Sequence, residues 1–215
     1  MGPQKIILFG GTFDPPHNGH MTLLAGAIEA VRPDLVLVEP AGTPPHKRAG
    51  GTSAAHRLAM CECFRPLFPE LVLDTTEIAR GGKSYTADTL RILHEEHPDD
   101  ELWLLMGTDM FLTFQYWYKP DEIVRYAGLC AFGRTEKDGE ELFAPQRDFL
   151  GEKFPGSRIV TMTLPNLVDV SSTELRERIP RGETEGLLAP AVLGYILREH
   201  LYGTNLDLKR LTLEE

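Results

Sequence analysis

Six short apolar runs constrain this chain more than any other feature: residues 6–9, 35–38, 71–73, 102–106, 129–132 and 159–164. The first, Ile6-Ile7-Leu8-Phe9, carries no polar residue on either face, which is the mark of a strand covered on both sides. Between the runs apolar residues recur at helical spacing, as in Met21, Leu24, Ile28 and Val31. Buried strands alternating with helices predict an α/β fold, with a doubly wound, mostly parallel sheet and helices on both faces. Ligands of such sheets bind beyond the carboxyl ends of the strands, where the strand order switches. The stretches 10–20, 44–47, 107–109 and 171–176, together with Arg134, each follow a run and are expected to share that rim.

The first of these stretches is the most informative. Gly10 and Gly11 end the strand, and a helix begins near Asn18. Glycines let backbone approach a ligand with no Cβ between, and a helix start offers unpaired N–H groups and a positive dipole end. His17 and His20 are three apart, so both can point at the turn. The loop lacks the lysine of a phosphate-binding P-loop and the G-x-G-x-x-G of a dinucleotide site. Two histidines without a third nearby ligand make a poor zinc site. A phosphate-bearing ligand is the expected occupant.

Charge narrows the partners. The 215 residues carry a formal net charge of −10, which argues against nucleic acid as a partner, since phosphate contacts dominate that affinity. A nucleotide remains compatible if the cations gather in one cleft. The three cysteines, Cys61, Cys63 and Cys130, form no CxxC and are expected as free thiols. No run reaches membrane-spanning length and the start has no signal-peptide pattern, so a cytoplasmic protein without membrane contact is expected. Residues 1–203 read as one domain and 204–215 as a charged tail.

Along the chain, residues 39–48 read as a loop with a basic cluster at its end. A helix is expected over 53–68, with Leu58, Cys61 and Phe64 or Arg65 on its inner edge. Arg57 in its first turns opposes the helix dipole, a hint that it serves a ligand. Residues 81–86 read as a turn into a helix capped by Ser84 or Thr86. A short helix is expected at 121–126, a loop and one helix between 135 and 156, and further helices over 170–179 and 190–201. Ser171 or Ser172 can cap the former, with Arg176 one turn along.

Two strings, GGTFDPPHNGH and VSSTELRERI, resemble the (T/H)xGH and SxTxxR motifs of the nucleotidyltransferase superfamily, whose fold is Rossmann-like. PPHK at 44–47, SYTADTL at 84–90, GTDMFLTFQYWY at 107–118 and LLAPAVLGYILREHLYG near the end are similar to the bacterial nicotinate-mononucleotide adenylyltransferases. That resemblance implies adenylyl transfer from ATP to nicotinate mononucleotide, with Mg²⁺ carried by the ATP phosphates and no protein-held metal. His17, His20 and Arg176 would be catalytic. Gly10, Gly11, Thr12, Phe13, Gly107, Asp109, Arg134, Ser171, Ser172 and Thr173 would bind ATP. Lys47, Arg57, Thr86, Trp117 and Tyr118 would bind the mononucleotide, Trp117 by stacking on its ring. A homo-oligomer is compatible with the sequence. Transfer of AMP to another phosphate acceptor such as phosphopantetheine, or a nucleotide-binding sensor without turnover, are the competing readings.

Overall fold

The computed structural model describes residues 2–42, 52–133, 139–164, 168 and 170–204. Six strands, β1 (Lys5–Gly11), β2 (Leu35–Pro40), β3 (Leu71–Leu73), β4 (Glu101–Gly107), β5 (Ala127–Gly133) and β6 (Ile159–Thr163), form one sheet. Every neighbouring pair is parallel, and the order is β3-β2-β1-β4-β5-β6. Each strand lies where the sequence places it. The order reverses between β1 and β4, so the crevice of a doubly wound sheet opens beside Gly10 and Gly107.

Alternation along β1 shows why its run carries no polar residue. Ile7 and Phe9 face one layer and Ile6 and Leu8 the other. The first layer holds α1 (Asn18–Val31), α2 (Ala54–Glu62), α8 (Ser172–Arg178) and α9 (Pro190–Arg198), through Leu24, Met60, Leu175 and Val192. The second holds α4 (Thr86–Glu96), α5 (Thr108–Leu112), α6 (Pro120–Tyr126) and α7 (Ala144–Lys153), through Leu90, Phe111, Ile123 and Leu150. Both faces of the central strands are therefore dry, and burial of this apolar area is the main driving force for the fold.

Several boundaries differ from expectation. α2 stops at Glu62, and Arg65–Leu67 forms a 3-10 turn, because Pro66 has no N–H to continue the ladder. Its buried residues are Arg57, Met60 and Cys61, so the inner edge is set one residue away from Leu58 and includes the arginine. Glu39 and Pro40 belong to β2 rather than to the loop. α3 (Thr76–Arg80) is a five-residue helix with too little periodicity to be read from sequence. Tyr85, not Ser84 or Thr86, is the N-cap of α4, and no side chain caps that helix. α9 ends at Arg198, and a 3-10 turn, Leu201–Gly203, follows. Thr204, expected at the start of the tail, is buried with its hydroxyl on the Leu201 carbonyl at 2.8 Å.

Candidate active site

The turn after β1 is built around a folded-back phenylalanine. Phe13 takes a left-handed conformation at φ 50° and buries its ring between Phe9 and His20, with centroids 5.3 Å and 4.9 Å away. A Cβ on Gly11 would lie 2.9 Å from that ring and would force it to shift. His17 is the N-cap of α1, and its backbone N–H donates to Nδ1 of His20 at 3.1 Å. A neutral His20 therefore carries its proton on Nε2. The two rings stack with centroids 3.7 Å apart. Burial lowers His17 to about 4, so near neutral pH it is an uncharged imidazole. Its buried Nδ1 has no hydrogen-bond partner among the described residues. Gly19 lets the chain at Val168 pass close by: a Cβ there would sit 2.7 Å from the Val168 carbonyl and 3.0 Å from that same Nδ1.

The helix after β6 is tied to this turn by hydrogen bonds across more than 150 positions of chain. Ser171 caps α8, accepting the Glu174 N–H at 3.1 Å. Ser172 donates its hydroxyl to the Pro15 carbonyl at 2.9 Å. Arg176 donates Nη1 to the Asp14 carbonyl at 2.7 Å and Nη2 to the Thr173 hydroxyl at 3.0 Å. The guanidinium is thus held beside the turn that carries both histidines. Asp14 in turn accepts the Tyr202 hydroxyl at 2.7 Å, so the carboxyl-terminal 3-10 turn braces the same loop.

Beside the glycines lies a cavity of about 580 Å³. Gly10, Gly11 and Thr12 form one side of it; Thr86, Trp117 and Tyr118 form another. Tyr85 and Tyr118 pack at 4.4 Å and Trp117 leans on buried Phe114 at 5.7 Å, giving an aromatic wall. Glu39 and Glu77 also line it. Burial, with Glu77 and Asp74 nearby, pushes Glu39 up to about 8. Gly107 ends β4 and exposed Asp109 lies in the first turn of α5, on the β4 side of the switch point.

Comparison with known proteins agrees with this geometry. A family profile described as cytidylyltransferase-like matches residues 8–178. A probable nicotinate-nucleotide adenylyltransferase of Gemmatimonas aurantiaca is 38% identical over 93% of this chain and 92% of its own length. One from Neisseria meningitidis is 35% identical over 93% and 98%, and one from Exiguobacterium sibiricum 33% over 94% and 100%. The chain belongs to the nicotinate-nucleotide adenylyltransferase family. A solved nicotinic acid mononucleotide adenylyltransferase of Plasmodium falciparum, complexed with NaAD, covers 95% of this chain at TM-score 0.76 and 20% identity, a likeness of fold.

Within this family member, the expected site residues separate by place. His17, His20, Ser171, Ser172, Thr173 and Arg176 meet at the glycine turn, and Thr86, Trp117 and Tyr118 meet at the cavity. Phe13 is 1% exposed and its ring supports His20, so it has only backbone to offer a nucleotide. Arg57 is buried, donating Nη1 to the Thr12 carbonyl at 2.9 Å and Nη2 to the Ala41 and Gly42 carbonyls at 2.6 Å and 3.3 Å. Its charge clamps the loops after β1 and β2 together, a geometry that helical spacing does not reveal. Lys47 and Arg134 lie outside the described residues. Sequence reasoning passed over Glu39, Glu77, Asp14 and Tyr202. Glu39 had a weak signal, a carboxylate directly after an apolar strand run. Tyr202 had none, since its contact is 188 positions away.

Proposed function

We infer that the protein transfers the adenylyl group of ATP to nicotinate mononucleotide, giving nicotinate adenine dinucleotide and pyrophosphate. The observation that carries this reading is the seat of Arg176 on the Asp14 carbonyl, beside the histidine turn. The nucleophile is an oxygen of the mononucleotide phosphate. Its second pKa is about 6, so it is ionised near neutral pH and needs no strong base. It forms a bond to the α-phosphorus of ATP, and the bond to the bridging oxygen of the β-phosphate breaks. The protein must align two anions and offset their repulsion.

In this scheme His20 offers its Nε2–H to the α-phosphate as charge develops there, and His17 stands behind it. The amides of the 10–13 turn, the Thr173 hydroxyl and the remaining N–H groups of Arg176 take the β- and γ-phosphates, with Arg134 assisting and the Ser172 hydroxyl joining them by turning away from the Pro15 carbonyl. Gly107 and Asp109 receive the adenosine ribose. Trp117 stacks on the pyridine ring, the backbone near Thr86 and Tyr118 receives the nicotinate carboxylate, and Lys47 lies by the mononucleotide phosphate. Arg57 holds the two loops through its Nη groups and lies by the mononucleotide phosphate with its remaining N–H donors. Among the described residues no group of three or more His, Cys, Asp or Glu could hold a metal ion. A Mg²⁺ arriving with ATP would neutralise part of the triphosphate charge. The protein incubated with Mg-ATP and nicotinate mononucleotide is expected to release pyrophosphate and form the dinucleotide, identified by mass. Absence of both products overturns the reading.

A further inference from the structure

The wall that carries Trp117 is a short link between two helices. α5 ends at Leu112, a 3-10 turn spans Phe114–Tyr116, and α6 starts at Pro120. Phe114 is buried, but Tyr116 and Tyr118, which flank Trp117, are 81% and 49% exposed. A second hold on the link comes from α7, which the chain reaches only after β5. In the first turn of α7, Nε2 of Gln146 donates to the Phe111 carbonyl at 2.8 Å and to Oε1 of Gln115 at 2.7 Å. Gln115 in turn donates Nε2 to the Leu112 carbonyl at 3.2 Å. The amide pair thus supplies donors in the last turn of α5, where a helix leaves carbonyls without intrahelical partners. Ring contacts run alongside. Phe143 meets Phe111 at 5.1 Å, and Phe154, just after α7, meets Phe114 at 6.2 Å, the same ring on which Trp117 leans.

We propose that Gln146 is a positioning residue for the acceptor: through Gln115 and the Phe111 carbonyl it holds the 112–118 link in the shape that presents Trp117 to the mononucleotide. The proposal rests on the reading of this wall as the seat of the pyridine ring. Gln146 does not line the cavity, so it acts through the link and not on the substrate. A link without this pin samples other arrangements, and apparent affinity falls by the fraction of molecules in which Trp117 is in place. The reacting phosphates are assigned to the histidine turn and Arg176, which is seated on the Asp14 carbonyl and has no bond to the amide pair. The effect therefore belongs to acceptor binding and not to the chemical step.

Gln146→Leu keeps much of the side chain's bulk and removes both donors. Its KM for nicotinate mononucleotide is expected to rise roughly tenfold, the scale set by loss of a hydrogen bond. Its kcat and its KM for Mg-ATP are expected to stay at native values. A merely structural role would lower the amount of active enzyme, hence kcat, and leave both KM values alone. Gln115→Ala is expected to raise the same KM, and the double variant no further than the larger single change, because the two amides act as one unit. If Gln146→Leu fails to fold, Gln115→Ala, in a partly exposed turn, carries the test. A native KM for the mononucleotide in either folded variant overturns the proposal, as does a double variant in which the two effects multiply. Trp117→Ala separates the proposal from the reading beneath it. A native KM there removes the pyridine ring from this wall and the proposal with it. A raised KM there, beside a native KM in Gln146→Leu, overturns the proposal alone.

Discussion

His20 is defined by what its neighbours do to it. The His17 N–H occupies Nδ1, Phe13 meets the ring edge-on and His17 stacks at 3.7 Å, so tautomer and orientation are both set before any ligand arrives. Preorganised donors of this kind act on charge that develops in the transition state. His20→Ala is therefore expected to lower kcat by about 10²–10⁴ while changing the KM for nicotinate mononucleotide little. Steady-state kinetics on the folded variant check it, and near-native turnover would remove His20 from the chemistry. His17 plays a different part. Kept neutral by burial, it adds no charge repulsion against Arg176, and its Nδ1 has no hydrogen-bond partner among the described residues.

At the scale of elements, the site is a set of loops held by long-range hydrogen bonds. α8 is fastened through Ser172 and Arg176, the carboxyl-terminal turn through Tyr202, and the loop after β2 through Arg57. Each bond joins a side chain to a backbone carbonyl or carboxylate of a loop, where strand pairing has ended and little else fixes position. Arg57 is the strongest case, since one planar fork reaches carbonyls on two separate loops. Arg57→Lys keeps the charge and loses the fork. It is expected to lower unfolding free energy by about 1–3 kcal/mol, the range for leaving buried polar partners unsatisfied. Urea denaturation monitored by circular dichroism measures this, and an unchanged midpoint would show that the clamp carries no stability.

On the scale of the whole molecule, the switch in strand order between β1 and β4 gathers segments from across the sequence on one rim. Residues near 10, 40, 86 and 117 line one cavity and Arg176 reaches the turn after β1, because parallel strands deliver their carboxyl ends to the same edge. A ligand bound there touches both layers and should favour the folded state by mass action. Mg-ATP at about 100 times its Kd is expected to add about 2.7 kcal/mol. For a chain of this size that corresponds to a rise in Tm of roughly 5 to 10 °C. A thermal melt with and without Mg-ATP measures it, and no rise at concentrations that support turnover contradicts binding to the native rim.

The six strands, their parallel pairing and the glycine turn were legible because each depends on local pattern: apolar runs, helical spacing and residues without a Cβ. The two motifs could be named for the same reason, as both are contiguous strings. α3 and the cap of α4 were not, since five residues show no period and the burial of Ser84 is settled by packing, whereas the early end of α2 had a local signal, Pro66, that was passed over. The resemblance placed Arg57 near the mononucleotide phosphate, but its clamp between loops was not legible, because the carbonyls it bonds are brought to it by the sheet. Glu39 read as the first residue of a loop, and its burial and its hydrogen bond to the Glu77 N–H exist only once both are brought to one wall. Sequence alone determined which elements form and which family's chemistry they carry. Tertiary structure decided which charges face the ligand, because burial and hydrogen-bond partners arise from residues that are distant in the chain.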